Sequence, residues 1–137
     1  MASLFHLSLP CQSISATKTF YTKHIGASIG RHDDNWMDVN LFGHQITFTK
    51  AGKFDFNNPN YVFEGKILPS FHFGVIIDVK TWGEIYARLS DGDLEVVTQA
   101  TFLKEQPGEH LSFFIKDPNG YMLEFKSFKK ENEVFSS

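Results

Sequence analysis

The runs LFHLSLP (Leu4–Pro10) and SFHFGVIID (Ser70–Asp78) each open a strand-like stretch with Phe-His, and their histidines stand sixty-six residues apart. The same order of signals follows both runs: a helix, then three strands. Identity between the halves is slight, so the order of elements carries the repeat. A chain built this way has to bury one face of each sheet under its own helix, which leaves the other face for something else.

In the first half, Phe5, Leu7 and Leu9 alternate with His6 and Ser8, the period of a half-buried strand. Pro10 is expected to end that strand and Ser13 to cap a helix over about 14–24, closed by the glycines of HIGASIG. Strands are expected over 27–32, 36–42 and 44–50, with HDDN and Gly43 as turns. The second half offers a strand over 72–78. Thr81 and Glu84 then stand at capping-box spacing, and Trp82, Ile85, Tyr86 and Leu89 fall on one helical face. Strands over 94–103, 110–116 and 121–128 complete it, with DPNG (Asp117–Gly120) as a turn. The twenty residues from Ala51 to Ser70 show no clear period and read as a lid or binding loop.

Length and composition narrow the function classes. The 137 residues suit one domain, and fifteen Phe demand a large buried interface of the kind sheets provide. A net charge of -3 without a Lys/Arg stripe argues against a nucleic-acid partner. Cys11 is the single cysteine, so neither an internal disulfide nor a Cys-based zinc cluster can form, which fits a reducing compartment. The N-terminal stretch lacks the basic region of a signal peptide, and no run approaches the roughly 18 apolar residues of a membrane helix. A cytoplasmic protein without a membrane partner is the expectation.

Strand parity sorts the polar residues. If Leu123 and Phe125 pack under a helix, Glu124 faces the other way, as His6 does against Phe5 and Leu7 and His72 against Phe73, Val75 and Ile77. Two imidazoles and one carboxylate suit a divalent ion with open positions, Fe(II) among others. The same logic places His110, Ser112 and Phe114 on the open face, with His110 as a candidate catalytic acid or base. Asp38, Asn40, Gln45 and Phe114 are candidates for binding the substrate, the first two through its oxygens. Against these stand plainer readings: a satisfied core histidine, a strand-end His110, a surface Asp38 and Asn40. His24, His32 and His44 read as helix-end and turn residues, and Cys11 as buried and inert.

These motifs resemble the vicinal oxygen chelate superfamily of glyoxalase I, bleomycin-resistance proteins and extradiol dioxygenases. FHLSLP comes first, FHFGVII fifth and HLSFFIKDPNGYMLEFKSF last, and NLFGHQ, HFGV and LEFKSF look most like its small dioxygenase-like members. The resemblance implies an α+β fold: two βαβββ modules curl into a funnel, helices outside. Module one would span about 4–51, a connecting loop about 52–69, module two about 70–128 and a tail 129–137, all one domain. It further implies that His6, His72 and Glu124 are the metal ligands, that the partner is a small molecule with vicinal oxygens, and that the chain forms a homodimer. Fe(II) or Mn(II) is the expected ion for a dioxygenase. Zn(II), Ni(II) or Co(II) would accompany a glyoxalase, lyase or epimerase, which needs a fourth ligand that only Gln45 could supply. A drug-sequestering binding protein without catalysis is the third alternative.

Overall fold

The two larger sheets are four-stranded and mixed, and each is built by the same wiring. A computed structural model describes residues 2–136, which divide into two compact units. One runs from the N-terminus through Phe56 and includes the Asp117–Gly120 turn; the other comprises Asn57–Lys116 and the chain from Tyr121 onward. The fold is α+β, and the four-stranded sheet of each unit is built from a β-α-β-β-β order, as the repeat predicts.

In the first unit the sheet order is β1-β4-β3-β2, with β1 (His6–Cys11) parallel to β4 (His44–Lys50) and β3 (Trp36–Leu41) antiparallel to both β4 and β2 (Ser28–His32). Helix α1 (Ile14–Thr19) is capped by Ser13, whose hydroxyl accepts from Ala16 N at 3.2 Å. It widens into a π turn over Phe20–Ile25, and Gly26 ends it in the left-handed region. Thr17, Phe20, Tyr21 and Ile25 are buried there. Met37, Val39, Leu41, Ile46 and Phe48 are buried from the sheet, with Tyr21 against Phe48. The strand does not stop at Pro10, as expected, but continues to Cys11; β1 lies at the sheet edge, where a missing N–H is tolerated. Phe5, expected to share the buried face with Leu7 and Leu9, is exposed just before the strand begins.

The second unit repeats the arrangement as β7-β10-β9-β8: β7 (Phe73–Ile76) parallel to β10 (Met122–Phe128), then β9 (His110–Lys116) and β8 (Val96–Phe102). Helix α2 (Val79–Ser90) covers one face. Trp82 stands edge-on to Phe113, donates from its indole to Phe125 O at 2.9 Å and stacks on Tyr86. Its cap is Asp78, which accepts from both Thr81 N and Thr81 Oγ1, so the helix starts earlier than the Thr81 box suggests. A carboxylate three residues upstream reaches the free N–H groups better than the Thr81 hydroxyl.

The Ala51–Ser70 segment is not structureless. It contains a hairpin of β5 (Asn60–Phe63) and β6 (Lys66–Pro69), joined by Glu64 and Gly65, both with positive φ. The β3–β4 hairpin turns the same way through Phe42 and Gly43. Leu68, with Phe63, packs on Ala100, Phe102, Phe114 and Met122, so the hairpin covers the sheet face that α2 leaves bare.

Gly74 is the tightest point of this sheet. A Cβ added there would sit 1.6 Å from the carbonyl oxygen of Glu124, its partner in the β7–β10 register. Gly74→Ala is expected to push the strands apart and cost on the order of 3 kcal/mol. Chemical denaturation should show a lowered midpoint, and a midpoint unchanged from wild type would contradict the close approach.

Candidate metal centre

The face of the second sheet opposite α2 gathers the residues that parity selects. Leu123 and Phe125 are fully buried on the helix side, which turns Glu124 to the other face. Gly74 next to it leaves backbone-to-backbone contact and nothing else, so the side chain of His72, two residues earlier, meets the carboxylate. His72 Nε2 lies 3.2 Å from Glu124 Oε1.

Each partner is anchored at its far end. His72 Nδ1 is 2.9 Å from Pro69 O; a carbonyl only accepts, so Nδ1 carries a proton and donates. Ser112 Oγ donates to Glu124 Oε2 at 2.7 Å, and Lys126 Nζ stands 3.8 Å from Oε1. Phe114 meets the His72 ring edge-on at 5.4 Å. In the neutral His72 tautomer that remains, Nε2 and Oε1 both present lone pairs across 3.2 Å, an arrangement that a proton or a cation relieves. Imidazole and carboxylate donors, each oriented by an outer hydrogen bond, suit a divalent ion.

The electrostatics match. His72 titrates above its ordinary range, first because of the hydrogen bond to Glu124 and also because of the Pro69 carbonyl, against a burial that pulls it down. Burial is the largest influence on Glu124 and pushes it up. The hydrogen bonds from His72 and Ser112 and the charge of Lys126 together outweigh burial and hold the carboxyl below its usual range.

The first unit carries a different polar set on its open face. His6 Nδ1 is 2.8 Å from Gln45 Oε1, and Gln45 Nε2 donates to Asp38 Oδ2 at 3.2 Å. Asp38 is buried and also accepts from Arg31 Nε at 2.9 Å and Thr47 Oγ1 at 2.7 Å. Burial alone would raise the Asp38 carboxyl; the donors Thr47 and Arg31 and the guanidinium charge hold it low. A cleft of about 350 Å³ borders Arg31, Asp38 and Gln45. The register identifies the counterparts of the two modules: Thr47 pairs with Ser8, two residues past His6, as Glu124 pairs with Gly74, two residues past His72. A hydroxyl therefore stands where the second module has its carboxylate.

Of the remaining candidates, Phe114 lies beside His72 and Glu124 and the others fall elsewhere. His110 is buried on the same face as Glu124 but lies four residues, roughly 13 Å, along β9 from Phe114, the partner of Glu124. It stacks on Phe128 and bonds Gly108 O at 2.8 Å, so the structure does not bring it to His72 and Glu124. Asn40 accepts from Gly43 N at 2.7 Å and serves the hairpin turn. His44, expected in the open turn, accepts from Phe5 N at 3.1 Å. Phe114 is buried under the β5–β6 hairpin. Gly74, whose lone glycine within a strand is itself a signal of close backbone approach, was not among the expected site residues. Among the described residues no group of three or more His, Cys, Asp and Glu side chains forms a metal cage, and no helix is long and apolar enough to cross a membrane.

A model of the Glyoxalase/Bleomycin resistance protein/Dioxygenase superfamily matches residues 3–125. The chain belongs to that superfamily. Its fold is similar to that of a glyoxalase/bleomycin resistance protein/dioxygenase from Alicyclobacillus acidocaldarius (TM-score 0.80, 21% identity, 97% of this chain and 96% of that one). It is also similar to a lactoylglutathione lyase from Agrobacterium tumefaciens (TM-score 0.68, 16% identity, 100% and 98% covered). The fosfomycin resistance protein FosX from Listeria monocytogenes gives a TM-score of 0.68 at 14% identity, with 97% and 98% covered. No curated protein matches the chain significantly. At these identities the superfamily fold is what the structures share.

The His72–Glu124 pair yields a pH signature in metal-free protein. The raised His72 makes its contribution complete below the unfolded histidine value and lost as pH climbs through the folded one. The lowered Glu124 makes its contribution complete above the unfolded carboxyl value and lost as pH falls through the folded one. The stability gap between wild type and His72→Gln should therefore be widest between about pH 4.3 and 6.5 and narrow on both sides. Urea unfolding across pH checks this, and a flat difference would show that the two groups do not interact.

Proposed function

We propose that this superfamily member is a metal-dependent enzyme of the extradiol-dioxygenase type, acting on a small substrate through two adjacent oxygens. His72 and Glu124 hold the divalent ion, with His6 as the third ligand and Fe(II) or Mn(II) as the ion. The observation that carries the reading is the His72–Glu124 pair, 3.2 Å apart with both outer atoms already committed to Pro69 and Ser112. When bound, the ion stabilises negative charge on the chelated oxygens.

The chain's own residues do the rest. Pro69 O holds the His72 proton on Nδ1, which keeps the Nε2 lone pair available. Ser112 occupies Glu124 Oε2 and leaves Oε1 as the donor. Phe114, with Leu68 and Phe63 of the hairpin, supplies an apolar wall that keeps the local dielectric low and strengthens charge interactions. Lys126, 3.8 Å from the carboxylate, offsets anionic charge on the substrate side of the sheet.

Two features favour a three-ligand site over a glyoxalase-like one. Thr47 stands at the module-one counterpart of Glu124, so no fourth carboxylate is supplied there. Asp38, a carboxylate on the open face of that unit, already accepts from Arg31, Gln45 and Thr47, and three donors make it a weak base. A three-residue ligand set would leave an ion accessible to a small substrate with two adjacent oxygens.

Elemental analysis of protein purified anaerobically without a His-tag is the test. About one iron or manganese per chain is expected, lost together with catechol turnover in His72→Ala. Stoichiometric metal in that variant would refute the ligand assignment. Zinc, nickel or cobalt in its place would move the reading to a lyase or isomerase, and failure to take up any metal would leave a ligand-binding protein.

A further inference from the structure

The two candidate ligand histidines are held by different means that arrive at one chemical state. For His72 the holder is backbone: the Pro69 carbonyl, 2.9 Å from Nδ1. For His6 it is the Gln45 side chain, 2.8 Å from Nδ1. A glutamine amide is ambiguous by itself, since it can turn either an oxygen or an NH2 toward the ring. Something further has to decide which.

We propose that Asp38 is a positioning residue that acts through Gln45 to lock His6 in the tautomer with Nδ1 protonated and the Nε2 lone pair free. The chain of necessity is short. A carboxylate only accepts, and Asp38 takes Arg31 Nε, Thr47 Oγ1 and, on Oδ2, a Gln45 atom at 3.2 Å. That Gln45 atom must be the nitrogen. The amide oxygen then faces His6, and an oxygen opposite Nδ1 requires Nδ1 to donate. Arg31 and Thr47 fix Asp38 in turn, since Arg31 reaches Oδ2 and Thr47 reaches Oδ1. Free neutral imidazole favours the opposite tautomer, with the proton on Nε2, so the lock is an inversion that can be read directly.

Two consequences follow. Gln45 is committed through both ends of its amide and is not a fourth metal ligand. Asp38 and Gln45, candidates for substrate contact by strand parity, instead prepare His6. The importance of the lock for ion binding rests on the metal-enzyme reading; the tautomer itself does not.

The experiment is a long-range proton–nitrogen correlation on metal-free protein carrying 15N-histidine, at a pH where the imidazoles are neutral, with His6 assigned from His6→Gln. Wild type should show a protonated-type Nδ1 and an unprotonated-type Nε2 for both His6 and His72. In Asp38→Asn, which no longer dictates the amide's orientation, His6 should revert toward Nε2–H while His72 stays unchanged. Gln45→Leu should do the same and leaves the buried carboxylate in place should Asp38→Asn fail to fold. Mn(II) affinity should fall about tenfold to a hundredfold in either variant. An Nε2–H His6 in wild type, or an unaltered His6 in a folded variant, overturns the lock. If the tautomers are as expected but wild type takes up no Mn(II), the metal reading fails and the lock stands. If Mn(II) binds while His6 carries the Nε2 proton, the reverse holds.

Discussion

Parallel pairing between the first and last strand of a module governs where every polar group in this chain ends up. Joining two parallel strands requires a crossover, so the helix must lie on one face, and the apolar residues of alternate positions go with it. In the second unit that pairing is drawn to its limit at Gly74 and Glu124, where no side chain would fit between the backbones. The close approach places His72 and Glu124 on the bare face within ligand distance of each other. The β5–β6 hairpin then seals the apolar part of that face with Leu68 and Phe63 and leaves the polar part to the pair.

The two modules differ around a shared frame. Both carry histidine at the entrance to the first strand, and both direct its Nδ1 at an oxygen. Past that point they differ: one places a carboxylate at the paired position and the other a hydroxyl. The charge that the first module lacks at Thr47 sits instead on Asp38, one strand over, where Arg31 neutralises it. One module is thus built to offer an anionic donor, and the other to hold a neutral imidazole in a chosen state.

Much of this was legible in residue order, because strand parity is a hard rule. Leu123 and Phe125 predict the facing of Glu124, and Phe113 predicts that of Ser112 and Phe114. What parity could not supply was position along a strand: His110 has the right face but stands too far down β9 to reach Glu124. The β5–β6 hairpin went unread because its period is hidden. Tyr61 and Val62 are both exposed, so neither alternation nor a continuous apolar run appears, and only the two-residue Glu64-Gly65 turn marks it. Pro10 misled because proline reads as a stop unless the strand is known to be at an edge. Asp78 reads as strand and acts as cap, since an N-cap residue keeps extended backbone geometry and looks like the strand that precedes it. The tautomer lock depends on three side chains from three strands, a relation with no signature in sequence spacing.

The most direct measurement is paramagnetic broadening by Mn(II) in 15N-labelled protein. The ion broadens nearby amide resonances and so reports where it sits without reference to any substrate. The proposed ligand set predicts early and selective loss of the amide signals of His72, Gly74 and Glu124 in the second unit and of His6 in the first. Broadening centred instead on the acidic residues of the surface, such as Asp78 and Glu131, with these four left sharp, would contradict the metal centre at its foundation.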